Sequence, residues 1–548
     1  MTHNYRSVSV FLVLSMSLVM ACGVSDDEGG NPAKDGSPPA NSLSITPADV
    51  TLEALSGQQV TQDYVVTYTD DDGNSEDVTS EVTLSLALPY LGSFEGNTFQ
   101  GTADRAGRSK IYANYQGATG EAQVAVLLTH TLVETGAEDG PDLFEQAEAG
   151  GVDPELVYPQ SGIIVPPNLN SFEFHYRPGG SNNLFQLELI GELIKIKIYM
   201  RCTTLSDGCV LEPSPEIWEL LATASKGEAP VFYTVKGLDS AATTPVFGSS
   251  VVNLMQFSFD DMLGGIYYWN ANPGLVQRYD FGRRGQSAED FLNVSQTNGT
   301  QCVGCHALSR AGDRIAIGYD IPAPAGLQTF DVSTRNSLWG ESGGLMGSGG
   351  ANFSAFSPDS SQILTSGTGP IYLRDTDTGA NKNEVVSNGT MPDWAPDNSR
   401  VVFAQGADEA CVLPPQFCDL VPGGGGNPGV DNGSIVTVVP DNWGNEIVIA
   451  DAAGKNNYYP AFSPDSSWVV YNRSGVNSFD APDAQVWVVA ADGGQSIQLA
   501  NASPTPTGDS WPKWAPFEHN YQDGQIMWLT FSSRRDYGLR IQNSVMAD

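Results

Sequence analysis

Phe356-Ser-Pro-Asp359, Trp394-Ala-Pro-Asp397, Phe462-Ser-Pro-Asp465 and Trp514-Ala-Pro516 recur along the C-terminal part of the chain. Each except the last is followed by a short polar turn and then an apolar strand, as in RVVFA or SWVVYN. A chain that repeats itself in this way builds one small unit several times and stacks the copies, because a single unit cannot bury its own apolar face. The frame reaches back to Leu308-Ser309-Arg310-Ala311-Gly312, with RIAIGYD as the next strand. Anchor spacings of 48, 38, 68 and 52 residues suit four-stranded units carrying insertions of different size. Five units are visible, so the expectation is a ring of five, or of six or seven incompletely read.

These phrases resemble the blade repeat of TolB-like β-propellers, which implies a propeller over residues 286–548. The last unit, ending WLTFSSRRDYGLRIQNSVMAD, stops where a further strand is expected. If Leu308, Phe356, Trp394, Phe462 and Trp514 are equivalent, so are Cys305, Phe353, Met391, Tyr459 and Trp511, three residues earlier. In a propeller such positions on the innermost strands form a ring around one mouth of the central channel.

Immediately before the first unit stands Cys302-Val-Gly-Cys305-His306, the attachment signature of a c-type haem. Two thiols at this spacing each reach one vinyl group of a porphyrin, and the adjacent imidazole meets the iron. The competing readings are a small disulfide or half of a zinc site, but zinc needs a second ligand pair that this chain lacks. One covalent haem c is therefore expected, anchored by Cys302 and Cys305 with His306 axial, in a pocket lined by Phe353, Tyr459 and Trp511. Met391 is the other axial-capable side chain of the predicted ring. Met391-Pro392 is similar to the Met-Pro pair of many small c-type cytochromes, which implies Met391 as the distal ligand. Met346, His519, His130 and His175 are the other candidates, and an open sixth position is an alternative.

The N-terminus reads as an export signal. After Arg6 an apolar run from Val8 to Met20 is too short for a membrane span and fits a signal-peptide core. It ends Val19-Met20-Ala21-Cys22, which resembles the lipobox of bacterial lipoproteins. The resemblance implies a signal peptide over 1–21, lipidation at Cys22, and outer-membrane anchoring facing the periplasm or the cell exterior. Residues 22–42 are Gly, Pro, Ser and Asp with almost nothing apolar, a flexible tether. Of seven cysteines, three are thus assigned to lipid and haem. The other four fall into local pairs, Cys202 with Cys209 and Cys411 with Cys418, which suits disulfides in an oxidising compartment.

Between tether and repeats the chain reads as all-β. Residues 43–128 alternate in short runs, and SITPADVTL, YTDDDGNSEDVT and GRSKIYANYQGATGEAQVAV look like a bacterial Ig-like (BIG2-like) domain. The acidic run Asp70–Asp77 reads as a strand-connecting turn, since an EF-hand loop would need a carboxylate where Tyr68 stands. An acidic linker is expected over 129–156 and a second sandwich, loosely similar to fibronectin type III domains, over 157–285. There the Ile-Lys alternation of LIGELIKIKIYM has the period of a strand. His175 reads as a structural histidine.

A net charge of -38 and a pI near 4.2 argue against a nucleic-acid partner. Such a surface steers a cationic redox partner or only maintains solubility. Two functions follow: a lipid-anchored monohaem cytochrome transferring electrons in the bacterial envelope, or a binding lipoprotein without redox activity. A haem redox enzyme such as a peroxidase is a variant of the first, but no catalytic residues beyond the haem motif stand out, so electron transfer is favoured over substrate turnover.

Overall fold

The computed structural model describes residues 8–14 and 41–541, apart from 170–171, 271, 282–285, 299–302, 320–325, 342–351, 368, 408–429, 477, 479–480 and 505–506. Cys22, Cys302, Met346, Cys411 and Cys418 lie outside the described residues. The chain forms two compact units.

The first unit holds the described residues up to Asp261 from Asn41 onward, together with Gly538–Ile541. Its longest strand is Ala118–Val133, paired antiparallel with Gly107–Tyr115 through a hairpin at Gln116-Gly117. Both turn residues have positive φ, 46° and 87°, the backbone that a two-residue hairpin needs to match strand twist. The same long strand pairs in parallel with Asp49–Leu55 and, farther on, with Ile194–Met200, Leu128 facing Ile194 and Val133 facing Tyr199. Residues 129–133, expected to open a linker, are therefore sheet. In Ile194–Met200 the isoleucines are buried and the lysines half-buried, as the period of two predicts.

Helix Pro215–Ser225 was not signalled by the surrounding β pattern. Ser214 caps it by accepting the Ile217 amide, Pro215 occupies the first position, and Trp218 stacks on Phe172 at 4.6 Å. The Asp70–Asp77 run is a turn and a short strand: Asp70 Oδ1 accepts the amides of Asp72 and Asn74. Cys202 and Cys209 form a disulfide.

The second unit runs from Met262 to Tyr537 and includes Val8–Leu14. Among the described residues it consists of six sheets in chain order, the third and fourth joined through one shared strand. The first is Gly265–Asn270, Leu275–Asp280 and Glu289–Leu292, of which the first two strands were expected at the end of the second sandwich. The second is Val303–Leu308, Arg314–Tyr319, Gly326–Asp331 and Ser337–Glu341. Phe353–Phe356, Gln362–Ser366 and Gly369–Asp375 begin the third, which ends in Asn383–Trp394. This last strand pairs with the third sheet up to Gly389 and with the fourth (Val401–Ala407, Val430–Val439, Gly444–Ala450) from Thr390. Asn456–Phe462 to Ile497–Gln498 make the fifth, and Ser510–Tyr521 with Gly524–Ser533 the sixth, whose far edge pairs with Val8–Leu14.

Successive sheets share their cores. Val276 and Phe291 pack with Val303 and Ile317; Leu327 with Phe356 and Ile363; Val386 with Trp394 and Phe403; Ile435 with Tyr458 and Tyr471; Val470 with Leu529 and Phe531. Gly264 lies against Phe517, bringing the sixth sheet to the start of the first. Face-to-face sheets closed in a ring are a β-propeller, with six blades among the described residues.

The repeat phrases are the turns between first and second strands. Ser357 Oγ bonds to Asp359 and accepts the Gln362 amide; Ser463 does the same with Asp465 and Trp468; Ser309 with Asp313 and Arg314. Gly312, Ser360, Asn398 and Ser466 hold the same left-handed position, φ 72°, 61°, 63° and 62°. One turn, used four times, is what the sequence repeat encodes.

Candidate functional site

The inner strands carry a second repeated irregularity. Strand register breaks between Val303 and His306, Thr390 and Asp393, Tyr458 and Ala461, and Ser510 and Lys513. At three of these bulges the residue is left-handed, Met391 (φ 55°), Tyr459 (51°) and Trp511 (59°), and each is followed by proline. A bulge re-aims side chains relative to a regular strand. Counted from the following turn, Cys305-His306 corresponds to Met391-Pro392, Tyr459-Pro460 and Trp511-Pro512, but its bulge lies one residue earlier, at Gly304-Cys305, and His306 pairs with Ile317. The third blade, with Phe353-Ser354 and no proline, pairs in unbroken register.

The bulges gather the predicted ring. Tyr459 stacks on Trp511 with centroids 4.4 Å apart, and Phe353 lies 5.9 Å from Tyr459 and 6.0 Å from Trp511. Met391 Sδ accepts the Tyr459 amide at 3.4 Å. Burial, and next the charge of Cys305, raise the Tyr459 hydroxyl well above its ordinary value.

His306 faces a different space, a cavity of about 850 Å³ lined also by Arg310, Asp393, Lys513, Trp514 and Trp528. Its Nε2 lies 3.0 Å from the Tyr267 carbonyl. A carbonyl only accepts, so Nε2 carries the proton and Nδ1 the lone pair. Burial lowers the imidazole below its ordinary 6.5, the Tyr267 bond opposes this, and the Lys513 charge adds to it. The ring is therefore neutral at pH 7. Asp393 anchors the cavity wall: Oδ2 accepts the Phe462 amide at 2.8 Å and lies 3.5 Å from Arg310, while Oδ1 lies 3.6 Å from Lys513.

Cys305 and His306 carry the chemistry that a covalently held haem needs, a thiol beside an imidazole oriented by a backbone carbonyl, but Cys305 does not line the cavity on which His306 opens. Met391 is not among the residues lining the His306 cavity, and its sulfur is turned to a backbone amide. His519 is buried in the sixth blade and also outside that lining. His130 and His175 belong to the other unit. His175 is buried with both nitrogens used, Nδ1 accepting the Leu539 amide at 3.1 Å and Nε2 2.9 Å from Glu173. Among the described residues no group of three or more His, Cys, Asp or Glu is placed to hold a metal ion. No described helix is long and apolar enough to cross a membrane.

No family model matches this chain, and no curated protein matches it. Solved structures give distant likenesses. A TolB-type protein from Agrobacterium tumefaciens is 17% identical, with a TM-score of 0.33, covering 49% of this chain and 89% of its own. TolB from Acinetobacter baumannii is 11% identical, with a TM-score of 0.29, covering 78% and 96%. The Pan2 WD40 domain of Neurospora crassa is 7% identical, with a TM-score of 0.29, covering 57% and 88%. The propeller assignment rests on the six sheets and their shared cores.

Proposed function

We propose that this protein is a β-propeller c-type cytochrome, lipid-anchored through Cys22 at the outer membrane, that transfers single electrons in the bacterial envelope. The observation that supports the reading is where the described part of the motif, Val303 to His306, falls: on an inner strand bulged at Gly304-Cys305, with His306 opening on a large cavity. When bound, the haem supplies one-electron redox chemistry. The chain's part would be to anchor it by Cys302 and Cys305 and to offer the His306 imidazole to the iron; Phe353, Tyr459 and Trp511, expected to line the haem pocket, stand outside the cavity on which His306 opens. The net charge of -38 favours a cationic redox partner.

The test is a reduced pyridine-haemochrome spectrum on protein matured with a cytochrome c assembly system and then denatured. One c-type haem per chain is expected, and Cys302→Ala or Cys305→Ala weakens or abolishes its retention. Colourless protein from a competent host overturns the proposal. It would favour the second reading, a binding lipoprotein, which the open cavity and its charged wall support independently.

A further inference from the structure

The sixth blade has two strands of its own, Ser510–Tyr521 and Gly524–Ser533, and a third that comes from the other end of the chain. Val8–Leu14 pairs antiparallel along its edge in unbroken register, Val8 facing Ser533 and Leu14 facing Met527. Those residues belong to the apolar run read above as the core of a signal peptide. Cleavage before Cys22 therefore removes a strand and leaves the outward amides and carbonyls of residues 527–533 unpaired. The edge carries none of the usual guards. Gly524–Ser533 is ten residues long and holds no charged residue and no proline. The last strands of other blades are short or charged: Glu289–Leu292 has four residues, two of them acidic, and Ile497–Gln498 has only two. Ser337–Glu341 ends on an acid, and Gly444–Ala450 contains Glu446. Leu529 and Phe531 pack with Val470 of the fifth blade, so the propeller core holds the edge strand in place. The tether after Cys22 is no replacement for the lost strand, because it has Pro32, Pro38 and Pro39 and almost nothing apolar.

We infer that in the processed protein this edge takes up an extended apolar segment of a partner protein, which adds antiparallel to Gly524–Ser533 as the blade's third strand. The inference rests on the leader removal proposed above. Main-chain hydrogen bonds supply the affinity of such an addition, so the partner is defined by a proline-free apolar run of the length of Val8–Leu14 rather than by one sequence. A second copy of this chain is disfavoured as the occupant, because two molecules of net charge -38 repel one another.

The test compares the chain beginning at residue 22 with the chain beginning at residue 1. Each is titrated with a fluorescent peptide of residues 6–16, flanked by added lysines for solubility, and binding is read by anisotropy. The chain from residue 22 should bind saturably, and the chain from residue 1, whose own strand fills the edge, at least about tenfold more weakly. A peptide with Val10→Pro and Phe11→Pro should lose at least about tenfold, because adjacent residues point their amides to opposite sides and one proline therefore removes a donor to the edge. The same residues in another order should bind within about threefold of the natural order. Bound peptide should slow hydrogen exchange in residues 527–533. No saturable binding, equal binding of the proline peptide, binding of the natural order alone, or protection confined to other residues overturns the inference. So does dimerisation of the chain from residue 22 with this edge already protected before peptide is added. The N-terminus of protein taken from the bacterial envelope, read by mass spectrometry, separates the two readings. Retention of residues 8–14 overturns the leader reading and the need for a partner together, whereas cleaved protein that fails to bind overturns only the inference.

Discussion

Glu173 is 8% exposed, yet burial, which would push its carboxyl up, loses to the hydrogen bonds from His175 and Arg540 and to the Arg540 charge, so it is held down to about 2 from 4.5. A depressed carboxyl stabilises the fold above its unfolded value and loses that contribution as pH falls, here between about 4.5 and about 2. Arg540 is 45% exposed, so solvent screening reduces the effect to about 2 kcal/mol. Glu173→Gln should cost about that much at pH 7 and abolish the acid-side loss. Hydrogen exchange of the peptide containing Leu539, corrected for intrinsic rates, reads it directly. Unchanged protection in the variant at pH 7 contradicts the assignment. That His175 is structural was legible from its place in an apolar strand. Its partners were not, because Leu539 and Arg540 are more than 360 residues away in sequence. Met391-Pro392 shows the opposite hazard. Taken alone it resembles an axial-ligand pair, but beside Tyr459-Pro460 and Trp511-Pro512 it is the blade's own bulge.

At the scale of the element, the aromatic-x-Pro-Asp turns were readable because short local geometry needs particular residues: a hydroxyl or carboxylate to accept amides and a residue that tolerates positive φ. Gly312 tests this. A side chain there would meet nothing within 4 Å, so any cost is backbone alone. Gly312→Val should destabilise the propeller by about 1–2 kcal/mol and Gly312→Asn by much less, since asparagine enters the left-handed region readily. Urea denaturation separates the two, and equal costs would show that φ is not the constraint. The first blade escaped sequence reading because Gly265–Leu292 lacks this turn. Helix Pro215–Ser225 escaped because its cap and proline are a weak signal in a region of strong strand periodicity. Residues 129–133 escaped because a polar, acidic neighbourhood hides a strand whose partner, Ile194–Met200, is distant in sequence.

At the scale of the molecule, charge acts before contact. If the haem reading holds, reduction by the cation hexaammineruthenium should slow as ionic strength rises, and reaction with the anion hexacyanoferrate should quicken. Stopped-flow mixing at low and high salt measures both, and salt-independent rates would remove electrostatic steering from the account. The order in which the chain visits its two units has a mechanical consequence. The chain leaves the first unit at Asp261 and rejoins it at Gly538, where Glu173 and His175 fasten Arg540 and Leu539. A pull applied between residues 41 and 541 is therefore carried by the first unit while that clasp holds, and the propeller hangs in a slack loop. Under tension the clasp is the fuse, and the blades bear load only after it opens.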